Sequence, residues 1–236
     1  MHRFYSEAPV HPGETCVLGE EAAHHVRNVL RLRAGEDIAV FDGRDGAFAG
    51  PLLRVDRQQV SLRPERRVQE HLPPEDLTLW FSPLKKDACA FLVQKATELG
   101  AGVLRPVRMQ RTSVPGFPVD KRRLTAIGAA EQCRLTAVPQ VHEATEFVDM
   151  CAALHNESVL FCDETGGEPA AAALQRTQGT LPVRHVVIGP EGGFTPQERS
   201  ALRALPSALP VSLGPRILRA ETAAAAALTL VIALRH

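Results

Sequence analysis

Residues 184–222 combine side chains that can act on a ligand with backbone that can approach one. They read RHVVIGPEGGFTPQERSALRALPSALPVSLGPRILRAET. The apolar run Val186-Val187-Ile188 opens into Gly189-Pro190-Glu191-Gly192-Gly193-Phe194, and Val211-Ser212-Leu213 opens into Gly214-Pro215-Arg216-Ile217-Leu218-Arg219. Glycines let a backbone turn with φ > 0 or come close to a ligand. In an open parallel sheet, ligands bind outside the carboxyl ends of the strands. A phosphate-gripping loop would carry Lys-Ser, Lys-Thr or a spaced G-x-G-x-x-G, and GPEGGF has none of these. Pro190 removes an N–H donor, and Glu191 places negative charge where a phosphate would sit. Such loops suit a ligand read through backbone groups and carrying a cationic centre. The ionisable groups beside them are Glu191, Arg216, Arg219 and Glu221. An arginine stays protonated, so Arg216 and Arg219 can offer only positive charge, and Glu191 and Glu221 supply the carboxylates. The structural alternative is an Arg219–Glu221 ion pair bracing the loop.

The pattern of the chain supplies the elements that must hold these loops. Thr195-Pro196-Gln197-Glu198 is a helix start, with Thr195 as the cap and Glu198 completing a capping box. Strands are predicted over residues 77–81, 103–107, 159–162 and 183–188, and helices over 88–99, 121–133 and 168–177. Strands alternating with helices imply a parallel sheet, here of up to five strands within one α/β domain over 75–236. Residues 1–70 differ. A helix is predicted over 20–32, followed by short runs at 37–41, 47–55 and 59–62 with Asp-Gly turn signals between the first two. Short strands with tight turns suggest a small β-barrel. Residues 63–74, charged and bounded by prolines, read as a linker.

Formal net charge is zero over 236 residues, but residues 85–134 carry ten Lys/Arg against four acids. A basic stripe of this kind is an electrostatic footprint for nucleic acid, or else a solvated face. His24, His25, Arg27, Arg31 and Arg33 crowd the first helix and its exit. They suit phosphate contact better than metal binding, since no partner ligand motif follows. Five cysteines without a C-x-x-C pair suit a reducing cytoplasm and argue against a zinc site. Cys133 and Cys162 are expected to be buried thiols. No signal peptide is evident. The apolar stretch 223–234 falls short of the ~20 residues that cross a bilayer and is expected to be a buried helix.

IGPEGGFTPQE followed by LGPRILRAETAAAAAL resembles the paired signature of the RsmE family, the 16S ribosomal RNA uridine-N3 methyltransferases of the SPOUT superfamily. HHVRNVLRLRAGE, Lys85-Lys86, QKATELGAGVLRPV and AEQC extend the resemblance over nearly the whole chain. Two departures stand out: Arg134 follows Cys133 directly, and Ala220 occupies a position where many relatives have Thr. The resemblance implies an N-terminal PUA-like β-barrel that touches RNA and a C-terminal α/β domain with a deep trefoil knot. The knot would hold S-adenosylmethionine (SAM) among Leu160, Ile188, Gly189, Pro190, Glu191, Gly192, Gly193, Leu213, Gly214, Ile217, Leu218, Arg219 and Thr222. It implies catalysis by Arg219, Glu221 and Glu191. RNA contacts are expected from His24, His25, Arg27, Arg31, Arg33, Lys85, Lys86, Arg111, Arg122, Arg123 and Arg134. The implied partners are 16S rRNA or the small ribosomal subunit and a second copy of the chain, with no metal and no membrane. Ribose 2′-O-methylation and RNA binding without catalysis are the alternatives, and a pure binder would have no need of two cofactor loops.

Overall fold

The structure, a computed structural model, describes residues 1–114, 116–177 and 182–235. It divides into two compact units, Met1–Pro73 with Ile127–Val138, and Pro74–Ala126 with Pro139–His236.

The first unit contains β1 (Arg3–Tyr5), β2 (Cys16–Val17), α1 (Glu20–His24), β3 (Asp37–Phe41), β4 (Ala47–Val55), β5 (Val60–Leu62) and β6 (Arg66–Gln69). The strands run in the order β1-β3-β4-β5-β2, with β6 also on β4. β4 is shared: its first residues lie between β3 and β6, and after a register shift at Leu52/Arg54 its end continues beside β5. Bulges of this kind bend a strand and let one sheet curl around a core. Phe4, Val26, Ile38, Val40, Phe48 and Leu62 fill that core. Two expectations need correction. The helix over 20–32 is α-helical only to His24, and His25–Val29 forms a π-helical turn. The wider turn buries Val26 completely while leaving Val29 61% exposed. The stretch 63–74 is not only a linker, because β6 pairs antiparallel with β4. Its charged side chains suit a strand with an open face, which conceals the pairing from a hydrophobicity reading.

The second unit contains β7 (Glu75–Phe81), α2 (Lys86–Glu98), β8 (Ala101–Arg108), α3 (Val119–Gln132), β9 (Gln140–Val141), β10 (Thr145–Glu146), α4 (Phe147–Ala153), β11 (Val159–Cys162), β12 (Glu168–Pro169), α5 (Ala170–Thr177), β13 (His185–Ile188), α6 (Pro196–Arg203), β14 (Ala208–Ser212) and α7 (Ala220–Ala233). The residues of α3 from Ile127 onward count with the first unit. The sheet has eight strands rather than up to five, in the order β10-β8-β7-β13-β11-β14-β12 with β9 on β8. All of its pairings are parallel. The extra strands β9, β10 and β12 have two residues each, too few to show a period of two. Trp80, Phe161 and Val187 face the core that includes Met150 of α4, Leu154 just after it and Leu202 of α6. Their neighbours Leu79, Leu160 and Val186, in register with one another, point to the opposite face because side chains alternate along a strand. The carboxyl ends of β13, β11 and β14 therefore lie side by side, and the loops that leave them can enclose one space.

Candidate cofactor cavity and active site

The cavity lies at those strand ends and has a volume of about 970 Å³. Residues 188–193 form one wall and residues 211–221 another. The expected residues Ile188, Gly189, Pro190, Glu191, Gly192, Gly193, Leu213, Gly214, Ile217, Leu218, Arg219 and Glu221 are thus brought together. Leu160 and Thr222 are not brought to the cavity lining with them. Leu160 is fully buried within β11, and Thr222 is an exposed residue of α7. The sequence reading missed a third wall, residues 162–166 after β11, and the start of α2 at Lys85 and Ala88. The available signal was a strand ending in Asp163-Glu164-Thr165-Gly166-Gly167, a third polar, glycine-bearing strand end.

The first glycine loop is braced from several directions. Thr195 caps α6, and the capping box with Glu198 is complete, an arrangement in which the cap alone contributes about 1 kcal/mol. Glu198 is buried, and its Oε1 accepts the Gln110 N–H at 2.7 Å. Arg111 Nη1 donates to Gly192 O at 2.7 Å, and Ser113 Oγ donates to Glu191 Oε2 at 3.3 Å. Phe194 packs edge-on against Phe161, with ring centres 6.1 Å apart. Gly193 takes φ +69°, and a Cβ there would stand 2.4 Å from Glu164 Oε1. Only glycine allows both the backbone turn and this close approach.

The third wall is pinned to α6. The Asp163 side chain is fully buried. It accepts from Thr165 N at 2.9 Å, Thr165 Oγ1 at 2.7 Å, Arg199 Nε at 3.0 Å and Arg203 Nη2 at 2.7 Å. Burial alone would push its pKa up, but the hydrogen bonds from Thr165, Arg203 and Arg199 outweigh it and hold the carboxyl below the usual range. Burial pushes the Cys162 thiol up to about 12. Burial, with the nearby Glu198 charge, pushes Cys151 up to about 11. Neither supplies a thiolate near neutral pH. Of the two cysteines expected to be buried, Cys133 is exposed and Cys162 is only partly buried, at the edge of the cavity.

The second glycine loop is open. Arg216, Ile217 and Arg219 are exposed, Ile217 to 89%. Gly214 takes φ +118°, with open space where a Cβ would stand. Arg219 is the residue before α7, and Glu221 lies in the first turn of that helix. Among the described residues no ion pair within 4 Å joins them, so the bracing alternative finds no support in this geometry.

The basic residues fall into two groups. In the first unit His24, His25, Arg31, Arg33 and Arg134 are exposed. Arg31 and Arg134, at φ 55° and 56°, are the described non-glycine residues with positive φ. Arg27 is half-buried and donates to Asp56 O at 2.7 Å, so its fork is committed to the turn before β5. In the second unit Lys85 and Lys86 are exposed, and Lys85 also borders the cavity. Arg123 is half-buried. Arg111 is tied to Gly192 as described above. Arg122 is only 4% exposed and donates to Lys86 O at 3.2 Å, a packing contact inside the unit. Among the described residues no cluster of three or more His, Cys, Asp or Glu side chains could hold a metal ion, and no described helix is long and apolar enough to cross a membrane.

Residues 71–232 match the RNA methyltransferase domain family, and residues 18–65 match the RNA methyltransferase PUA domain. A PUA unit joined to an RNA methyltransferase unit is thus the class to which the fold and cavity conform. The chain is 30% identical to the ribosomal RNA small subunit methyltransferase E of Mycobacterium tuberculosis, over 95% of this chain and 88% of the relative. It is 31% identical to the Synechocystis protein of the same name, over 93% and 73%. The Neisseria gonorrhoeae ribosomal RNA small subunit methyltransferase E, solved bound to S-adenosyl methionine, superposes with a TM-score of 0.84 at 28% identity, covering 99% of this chain and 98% of that one. The chain belongs to the ribosomal RNA small subunit methyltransferase E family.

Proposed function

We propose that this protein is a SAM-dependent methyltransferase acting on N3 of a uridine in the 16S rRNA of the small ribosomal subunit. The observation that carries the reading is the cavity of about 970 Å³ walled by three loops at parallel strand ends. Its size is at the upper end of small-ligand sites, roughly 300–1,000 Å³. Its glycine walls offer backbone groups, and its carboxylates suit a cationic ligand better than a phosphate. When bound, SAM supplies an electrophilic methyl group.

The protein's own task is to hold the uracil in line and to manage one proton, because N3 is a poor nucleophile until its proton leaves. Arg219, exposed at the cavity edge, stabilises negative charge on the uracil oxygens. Glu221, which lines the cavity in the first turn of α7, is assigned as the proton acceptor. Glu191, engaged by Ser113, orients the first loop.

Residues 1–70 are read as the PUA-like RNA-binding domain and 75–236 as the catalytic domain. His24, His25, Arg31, Arg33 and Arg134 in the first, and Lys85 and Lys86 in the second, are the expected phosphate contacts. Residue 127–138 grouping with the first unit refines that division. The trefoil knot belongs to the same reading, supported by the way α7 returns after β14 to pack on α2 and β13. So does a homodimer with C2 symmetry, and so does work in the cytoplasm, where ribosomal RNA is the substrate.

The test is calorimetry with SAM, followed by methyl transfer to small-subunit particles lacking the modification and mass analysis of the digested RNA. Saturable SAM binding and a base-methylated uridine are expected, with RNA affinity falling steeply as salt rises. Ribose methylation, or RNA binding without SAM binding, would overturn the assignment.

A further inference from the structure

We propose that Glu164 is a specificity-determining residue of the cavity, its carboxylate meeting a cation of the bound cofactor, either the ammonium or the sulfonium. The inference rests on the reading of the cavity as a SAM site. Glu164 lies on the third wall, between Asp163 and Thr165.

Three features set its position. The neighbouring Asp163 side chain is fully buried and holds Arg199 and Arg203, so the loop is tied to α6. Glu164 Oε1 accepts from Arg199 Nη2 at 2.5 Å, which fixes the direction of the carboxylate. The same Oε1 occupies the notch left by Gly193, 2.4 Å from where a Cβ would be. Two loops that enclose the cavity therefore meet at one carboxylate.

Accessibility assigns its role. Asp163 binds both α6 arginines and is inaccessible, with no exposed side-chain surface. The Glu164 side chain keeps 32% of its surface exposed, and a carboxylate has a second oxygen with acceptor capacity. Glu191 is engaged by Ser113 on the loop outside, and Glu221 belongs to the α7 turn that follows Arg219. Glu164 is the carboxylate held between two walls, where partial removal of water strengthens attraction to a cation. SAM carries a sulfonium and an ammonium. S-adenosylhomocysteine keeps only the ammonium, and 5′-methylthioadenosine has neither.

The experiment measures binding of these three ligands to the full-length protein and to Glu164→Gln by calorimetry. The amide is isosteric and still accepts from Arg199, so the fold is preserved, as melting temperature will verify. SAM affinity is expected to fall about tenfold, the loss of one charge-assisted contact, and 5′-methylthioadenosine affinity to stay unchanged. S-adenosylhomocysteine locates the cation. Unchanged affinity assigns the sulfonium and an equal tenfold loss assigns the ammonium. Glu164→Asp, which keeps the charge, is expected to recover part of the SAM affinity. An equal loss for all three ligands would mean loop distortion and would overturn the proposal, as would undiminished SAM binding. If wild-type protein itself fails to bind SAM, the cofactor reading falls first. If wild type binds and Glu164→Gln matches it, only the role of Glu164 falls.

Discussion

The two glycine loops that wall the cavity start alike, each at the end of a parallel strand, and finish differently. The loop after β13 is bonded to Arg111 and Ser113, seated on Phe194 and continued into a capped helix. The loop after β14 is closed at its start only by the local turn in which Gly214 N donates to Ser212 Oγ at 3.2 Å, and its Arg216, Ile217 and Arg219 stand in solvent. A braced loop has already lost its conformational freedom, so a ligand meets it without a further ordering cost. An open loop must be ordered when ligand or RNA arrives. The difference assigns shape to the first loop and action to the second, whose arginines are free to meet an incoming base.

The largest expected effect falls on the open loop. Arg219→Ala should lower single-turnover methyl transfer by roughly 10²–10³, the usual result of removing a donor that stabilises transition-state charge, while SAM affinity and melting temperature change little. Arg219→Lys should recover only part, because a point charge does not replace a planar fork. Were Arg219→Ala to lose SAM affinity and thermal stability together, the second loop would be a brace like the first and the contrast would collapse.

A matched pair of substitutions sharpens the contrast at intermediate size. Gly193→Ala and Gly214→Ala both place a side chain at positive φ, a strain of about 1–3 kcal/mol. Only Gly193→Ala also drives a Cβ into the Glu164 carboxylate. Denaturant midpoints should therefore fall in both variants, with SAM affinity falling much further in Gly193→Ala. Equal losses of SAM affinity would show that the open loop is as preformed as the braced one.

The smallest effect is on pH dependence behind the braced loop. His185 accepts from Trp80 Nε1 at 3.1 Å, and Trp80 shares a core with Phe161 and Phe194. Burial lowers the His185 pKa, against the attraction of Glu157. A lowered folded-state value means that the unfolded chain binds more protons, so this contribution is intact above about 6.5 and is lost as pH falls through the folded-state value. Urea midpoints should drop between pH 8 and pH 5.5, less so in His185→Gln. A flat profile in wild type would detach the histidine from the stability of that core.

How much of this was legible in the sequence follows the range of each interaction. The capping box at Thr195 and Glu198, the strand 159–162 and the two glycine loops are written within a few residues, and the structure contains them. The π-helical turn at His25–Val29 left no local mark, because a single turn of five residues is too short to establish a period of its own. β6 was hidden because edge pairing needs backbone and not hydrophobic side chains.

The sequence by itself determined the class of fold and the two glycine loops, because periodicity, caps and glycines act locally. Tertiary structure alone decided that residues 162–166 form a third wall, that Arg111 braces Gly192, that Arg122 is buried against Lys86, and that Leu160 supports the sheet instead of lining the cavity. The hydrogen bonds of Arg111, Arg122 and Asp163 among these join residues 36 to 81 positions apart. Which arginine is spent on packing and which is left for the substrate depends on where the chain returns, and the one-letter code of an arginine is the same in both cases.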